Sequence, residues 1–123
     1  MKLYRFHWDC GRMGDLRGLF AVNEDGEKIL RASFGEYVGF GEVLGKHSDI
    51  DGALEEDEVT IIDASPEDVA AVIRVLGVQP SRYGWWTLSG YNPLDYLDGD
   101  EQLPEIMARA GVTPPDPSAQ RGG

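Results

Sequence analysis

Residues 37–51, YVGFGEVLGKHSDID, constrain the fold more than any other stretch because they combine strand-type side chains with three glycines. Val38 and Phe40 favour an extended backbone, whereas glycines weaken a strand and mark a bulge or a close backbone approach. The polar residues 45–49 interrupt the apolar pattern, which resumes afterwards. We therefore predict a hairpin whose second arm continues to residues 59–62. At or near its tip lie His47, Ser48, Asp49 and Asp51.

The N-terminal residues predict another hairpin. Between residues 2 and 8, one side of the chain carries Leu3, Arg5 and His7 and the other side is aromatic, with Tyr4, Phe6 and Trp8. A period of two is typical of a half-buried strand. Turn-forming residues follow at 9–15, and the apolar run at 16–22 is predicted to pair antiparallel with the first strand.

Three helices are predicted further along the chain. Asn23 and the acids after it predict a helix over about residues 24–33. Ser65 and Pro66 are typical of a helix start, and Gly77 is placed to end that helix. Its buried face is predicted from apolar residues at helical spacing: Val69, Val72, Ile73 and Leu76. A short third helix is predicted over 105–110, opened by Pro104.

The predicted order of elements is ββα-ββα-β followed by the short helix, which is typical of an α+β domain. We expect a mainly antiparallel sheet with the helices packed on one face. At 123 residues the chain is long enough to bury one core. A single domain over residues 1–112 is therefore expected, with a disordered tail over 113–123, where apolar side chains are almost absent.

The charge balance limits the classes of partner. The chain has 22 acidic and 11 basic residues, a net charge of −11, which disfavours nucleic acid and anionic membranes and favours a basic protein surface. Its single cysteine, Cys10, excludes an intrachain disulfide and a Cys-rich zinc site. The first residues lack the apolar core of a signal peptide, and no run approaches the ~20 apolar residues of a membrane span, so a cytoplasmic protein is expected.

Metal-ligand residue types are present without the spacing that makes a metal motif specific. The candidates are His7, Cys10, His47 and Asp49, with Asp9 and Asp51 nearby. Only His7 and Cys10 are tightly spaced, so structural roles are favoured and no cofactor is predicted. The adjacent residues 47–49 cannot form a hydrolase triad, because triads join residues that are distant in sequence.

A small-molecule site is the alternative. Arg12 lies between Gly11 and Gly14, where a guanidinium and exposed amides could hold an anion. With the hairpin tip it would form a pocket of Arg12, His47, Ser48, Asp49 and Asp51. Ordinary turns are favoured, because the strand, glycine motif and helix of a phosphate loop are missing.

An interaction surface is predicted from charge and aromatic content. Four consecutive acids, Glu55, Glu56, Asp57 and Glu58, precede residues 59–62, and the aromatic segment contains Trp85, Trp86 and Tyr91. Consecutive residues of a strand point to opposite faces. One tryptophan is therefore expected in the core and the other is a candidate interface anchor. The alternative is that both pack in the core, with the short helix at 104–110 covering the second.

Three segments resemble a pattern found in small uncharacterised proteins of bacteria and their phages: DCGRMGDLRGLF at 9–20, VGFGEVLGKHSDIDG at 38–52 and SGYNPLDYL at 89–97. The resemblance extends over most of the chain to residue 97. It carries no assigned activity and therefore brings no catalytic residue. It implies a phage or mobile-element context, in which small acidic domains act as inhibitors or immunity proteins.

The leading hypothesis is a non-enzymatic acidic interaction protein, of the inhibitor or immunity type, that covers a basic surface of a protein partner. Its acidic residues, including 55–58, would steer the encounter, and a tryptophan would anchor it. The alternative is a small-molecule or metal-binding domain, with or without catalysis, around Arg12 and residues 47–51. A self-assembling structural component is the third hypothesis.

Overall fold

The structure, a computed structural model, describes residues 1–44, 49–81, 83–97 and 99–113. Its described strands are β1 (Lys2–Asp9), β2 (Asp15–Val22), β3 (Tyr37–Gly41), β4 (Ile50–Ala53), β5 (Val59–Ile62) and β6 (Trp85–Gly90). Four of them form an antiparallel sheet in the order β5-β1-β2-β6, and β3 pairs with β4. The described helices are α1 (Glu24–Ala32), α2 (Pro66–Leu76) and α3 (Gly99–Ala110). The α+β class and the mainly antiparallel sheet are confirmed.

The predicted N-terminal hairpin is the centre of the main sheet. Lys2 of β1 pairs with Val22, and the register continues to Asp9 and Asp15 at the turn. The Asp9 carboxylate accepts a hydrogen bond from the Gly11 amide at 2.8 Å, which closes the turn. The alternation along β1 therefore places Tyr4, Phe6 and Trp8 on one side of the sheet, as the sequence predicts, and Tyr4 and Phe6 are buried there.

Two helices and the β3–β4 pair cover the aromatic face of the main sheet. Asn23 caps α1 by accepting a hydrogen bond from the Gly26 amide at 2.9 Å, and Ile29 and Leu30 of α1 are fully buried. The core on this face also contains Phe6, Phe20, Val38, Phe40, Ile106 and Met107. The helix predicted at about 24–33 is thus confirmed, and its apolar side faces the sheet.

The predicted hairpin of residues 37–62 is divided between two sheets. Val38 pairs with Gly52, and the register shifts between Gly39 and Gly41, which agrees with the bulge expected from the glycines. Its second arm ends with β4, however. Residues 59–62 form a separate strand, β5, beside β1, so the expected continuous arm is wrong. Of the predicted tip residues, His47 and Ser48 lie outside the described residues, whereas Asp49 and Asp51 are described and exposed.

The helix α2 begins and ends as predicted but is less buried than expected. Ser65 accepts a hydrogen bond from the Asp68 amide at 3.1 Å, and Gly77 closes the helix in the left-handed conformation with φ 67°. Val69 is 1% exposed, whereas Val72 and Leu76 are 40% and 55% exposed. The predicted buried face is therefore only partly buried.

This second helix also lies on the opposite face of the sheet from α1. Ala21 and Val69 are both buried yet lie outside the main core cluster. Ala21 points away from the aromatic face, and α2 packs against β1 and β6. The expectation that all helices share one face is therefore wrong, because the connection from β5 to β6 crosses behind the sheet.

The third helix starts earlier than predicted. It begins at Gly99, so Pro104 lies inside it and not at its first position. Packing compensates for the backbone hydrogen bond that proline removes, since Ile106 and Met107 are buried and α3 packs against α1. Residues 114–123, most of the predicted tail, lie outside the described residues. None of the helices in the described ranges has the length and apolar character needed to cross a bilayer.

Candidate functional site

Four aromatic rings from three parts of the chain meet at one end of the main sheet. The ring centroid of Phe40 lies 5.3 Å from that of Trp8, 6.0 Å from Tyr91 and 4.6 Å from Tyr96. Phe40 is 5% exposed, and its three partners are half-buried. Aromatic packing thus joins the end of β1, the β3–β4 pair and the segment after β6.

The predicted site around Arg12 is described only in part. Arg12 is exposed in the turn between β1 and β2, and Asp49 and Asp51 are exposed at β4. A hydrogen bond to Asp51 raises the pKa of Tyr37. His47 and Ser48 lie outside the described residues, so this pocket stays a prediction.

The predicted metal ligands have other partners where the structure describes them. The Nε2 atom of His7 lies 3.0 Å from a carboxylate oxygen of Asp15. Cys10 donates a weak hydrogen bond to the carbonyl oxygen of Trp8 at 3.8 Å, and burial raises the pKa of its thiol. Among the described residues no three His, Cys, Asp or Glu side chains are grouped to hold a metal ion.

The two tryptophans of β6 point to opposite faces, as expected. Trp85 is 3% exposed, and its indole N–H donates to Asp95 at 2.8 Å. Its burial removes Trp85 from the predicted binding surface. Trp86 pairs with Ala21 on the other face and is half-buried, as is Tyr91. Binding roles for Trp86 and Tyr91 stay predictions.

The acidic run forms a tight turn between β4 and β5. Glu56, Asp57 and Glu58 make a 3-10 turn, and the Glu55 amide donates to the Glu58 carboxylate at 2.6 Å. Burial raises the pKa of Glu58, and the negative charges of its neighbours raise it further. Glu55, Glu56 and Asp57 are exposed. The run therefore presents three carboxylates outward and uses the fourth to hold its own backbone.

A shallow pocket opens beside this acidic run. It lies between α1 and β5 and has a volume of about 200 Å3. Its apolar wall consists of Leu30, Phe34, Val59 and Ile61, and its polar wall consists of Tyr4, Arg31 and Glu56. Because Ile61 is 54% exposed, the rim of the pocket is apolar where it meets the acids.

The charges at the base of the pocket are already paired. The Tyr4 hydroxyl donates to Glu27 at 3.2 Å, and the same carboxylate forms ion pairs with Lys2 at 2.8 Å and Arg31 at 3.9 Å. Within the described part of the chain, Glu56 forms no ion pair. Lys2 and Arg31 carry two positive charges against the one negative charge of Glu27, so this group keeps a net charge of +1. The negative charge at the pocket therefore comes from Glu56 and from the exposed Glu55 and Asp57 beside it.

Sequence reasoning missed Ile61 as a surface residue. Residues 59–62 are expected from the sequence as the apolar end of the second hairpin arm. Because β5 lies at the edge of the main sheet, the Ile61 side chain is partly exposed to solvent. It lines the same pocket as Glu56. No local signal in residues 59–62 identifies the edge position, because it depends on which strand β5 pairs with.

Comparisons with protein-family models, with curated proteins and with solved structures gave no match.

Proposed function

We propose that this chain is a non-enzymatic interaction protein, of the inhibitor or immunity type, that binds a basic surface of a protein partner. The docking surface is the pocket between α1 and β5 together with Glu55, Glu56 and Asp57. The observation that carries the proposal is that one acid of the run, Glu56, lines an apolar pocket and stands beside the exposed Glu55 and Asp57. An apolar side chain of the partner would enter the pocket, and neighbouring Lys or Arg residues would pair with the carboxylates.

The volume of the pocket is better suited to one side chain of a protein partner than to a small molecule. Small-molecule sites usually enclose roughly 300–1,000 Å3, whereas this pocket has about 200 Å3. An anchor residue needs less space, and hot spots of protein interfaces are apolar pockets of this kind with a polar rim. The anchor thus comes from the partner and not from Trp85.

The net charge supports the same kind of partner. At −11 the chain attracts basic surfaces over a long range at low salt, and the attraction weakens as the Debye length falls from ~10 Å at 0.1 M. In this proposal the chain acts in the cytoplasm, without direct contact to nucleic acid or membrane. A phage or mobile-element origin would fit such an inhibitor.

The test compares variants that remove charge at the pocket or elsewhere. The first variant combines Glu55→Gln, Glu56→Gln and Asp57→Asn, and it leaves Glu58 to hold the turn. The matched control, Asp63→Asn with Glu67→Gln and Glu105→Gln, removes three exposed charges at other places. A third variant, Ile61→Ser, removes the apolar rim at unchanged charge. Each is used to capture proteins from a bacterial lysate at ~50 mM and ~500 mM salt.

We expect one partner to be retained at low salt by the original chain and by the control. The pocket variant and Ile61→Ser should lose most of it, and high salt should weaken every capture. Equal retention by the pocket variant and the control would contradict the proposed surface. Retention of nothing at low salt would contradict the proposed function.

A further inference from the structure

The second face of the main sheet is divided into a covered half and an open half. One row across the sheet consists of Ile62, Leu3, Ala21 and Trp86, and this apolar row lies on the side where α2 packs. The next row on the same face consists of Thr60, Arg5, Leu19 and Ser89. Since Arg5 and Ser89 are exposed, α2 leaves this second row open.

The open half carries two arginines, Arg5 and Arg17, although the chain as a whole is acidic. Arg17 pairs with His7 across β1 and β2, one row beyond Arg5, and the side chains of Arg17 and His7 are 74% and 47% exposed. Arg5, Arg17, Leu19 and Ser89 line a shallow pocket of about 220 Å3. Two guanidinium groups and a hydroxyl thus share one concave surface.

Two carboxylates lie in the next row of this face, where Asp9 pairs with Asp15, and neither is among the residues that line the pocket. The Asp9 carboxylate accepts a hydrogen bond from the Gly11 amide. One oxygen of Asp15 lies 3.0 Å from His7 and 3.2 Å from Arg17. These two contacts lower the pKa of Asp15, so this group stays ionised. In the described ranges, Arg5 forms no ion pair and the Ser89 hydroxyl forms no hydrogen bond. A guanidinium carries five N–H donors, so most donors of this pocket are free to take a ligand.

We propose that this pocket binds a phosphoryl group. Two arginines can each donate a pair of N–H groups to phosphate oxygens, and a serine hydroxyl can donate a further hydrogen bond. A tetrahedral dianion uses donors from several directions, whereas a carboxylate presents only two oxygens in one plane. The phosphoryl group can belong to free inorganic phosphate or to a phosphate monoester such as a nucleotide.

The acidic surface does not prevent this binding. At physiological ionic strength the Debye length is about 8 Å, so exposed carboxylates beyond that distance are largely screened. Groups at hydrogen-bond distance are screened much less, and here they are Arg5 and Arg17, the latter with its ion-pair partner Asp15. The local cluster, and not the net charge of −11, therefore decides what this pocket holds.

The experiment is an NMR titration of the whole 15N-labelled chain at pH 7, with sodium chloride adjusted to keep the ionic strength constant. Inorganic phosphate and adenosine monophosphate are the two probes. We expect saturable shifts at the amides of residues 5, 17, 19 and 89. Saturation with inorganic phosphate alone would identify a free-phosphate site, and tighter binding of the nucleotide would identify a site for phosphate esters.

Two variants distinguish specific binding in this pocket from non-specific attraction of an anion to positive charge. Arg5→Gln should weaken binding at least about tenfold, as expected for loss of a charge-assisted hydrogen-bond pair. Arg74→Gln removes another exposed arginine, on α2, and should leave the affinity within about twofold. Both substitutions lie at exposed positions, and the unperturbed spectrum of each variant checks its fold. Shifts that fail to saturate, or equal losses in the two variants, would overturn the proposal.

Discussion

Gly18 and Tyr91 lie so close that a Cβ atom on Gly18 would be 1.9 Å from the carbonyl oxygen of Tyr91. The Tyr91 amide donates a hydrogen bond to the carbonyl oxygen of Arg17 at 3.0 Å, which holds the two backbones together. The ring of Tyr91 then packs against Phe40. The missing Cβ is thus what allows the segment after β6 to close over the aromatic end of the core.

The substitution Gly18→Ala should destabilise the fold by about 3 kcal/mol, the upper end of the usual cost of overpacking. The added methyl group meets backbone atoms, which cannot rotate away as a side chain can. The free energy of unfolding in urea measures the effect. Gly39→Ala is the control: its Cβ would lie 3.6 Å from the nearest atom, in the Tyr37 side chain, and the change should stay within about 0.5 kcal/mol. Equal effects of the two substitutions would contradict the close approach.

Asp95 is predicted to stabilise the buried Trp85. Its two carboxylate oxygens accept hydrogen bonds from the Trp85 indole N–H and from the Thr87 hydroxyl. Asp95→Ala leaves the buried indole N–H without an acceptor and should cost about 2 kcal/mol in urea unfolding. Asp95→Asn keeps one carbonyl oxygen and should cost roughly half as much. If Asp95→Ala were as stable as the original chain, this would show that a water molecule accepts the hydrogen bond of the Trp85 indole N–H instead.

The elements predicted correctly from the sequence have local signals. The bounds of α2 follow from Ser65, Pro66 and Gly77, three residues that act on their own backbone neighbourhood. The strand character of β1 follows from its alternation, whatever it pairs with. Both signals act within about one turn or one strand, so no knowledge of the tertiary structure is needed to read them.

The elements predicted wrongly depend on pairing between distant residues. Nothing in the sequence of residues 59–62 indicates that this strand pairs with β1 and not with β4. The pairing with β1 is what leaves Ile61 exposed. The row of Arg5 and Ser89 likewise exists only once the register of four strands is known. Both candidate surfaces therefore arise from sheet register, which periodicity alone does not supply.

Glu58, in the acidic turn, should give the stability of the fold an unusual dependence on pH. Burial raises its pKa in the folded state above the unfolded value near 4.5, so folding is opposed when this group is charged. The fold consequently gains stability as the pH falls through the folded pKa, and the gain is complete below the unfolded pKa. Glu58→Gln keeps an oxygen for the Glu55 amide and removes the charge. It should stabilise the protein at pH 7 and make no difference near pH 3.5.

The control for this prediction is Asp57→Asn, at an exposed position of the same turn. It removes a repelling neighbour of Glu58 without changing the group that is buried, so its effect at pH 7 should be smaller. Urea unfolding at the two pH values measures both variants. A destabilising effect of Glu58→Gln at pH 7 would show that the charged hydrogen bond outweighs the desolvation of the carboxylate.

The orientation of α2 can be tested with two valines on the same helix. Val69 is 1% exposed between the helix and the sheet, whereas Val75 is 79% exposed. Val69→Ala removes two buried methyl groups and should cost about 2 kcal/mol, while Val75→Ala should change the free energy of unfolding by less than about 0.5 kcal/mol. The substitution is chemically identical at both positions, so differences in helix propensity cancel and the measured difference reports burial alone. A large cost at Val75 would mean that another surface covers this side of α2, and a dependence of that cost on protein concentration would identify the surface as a second copy of the chain.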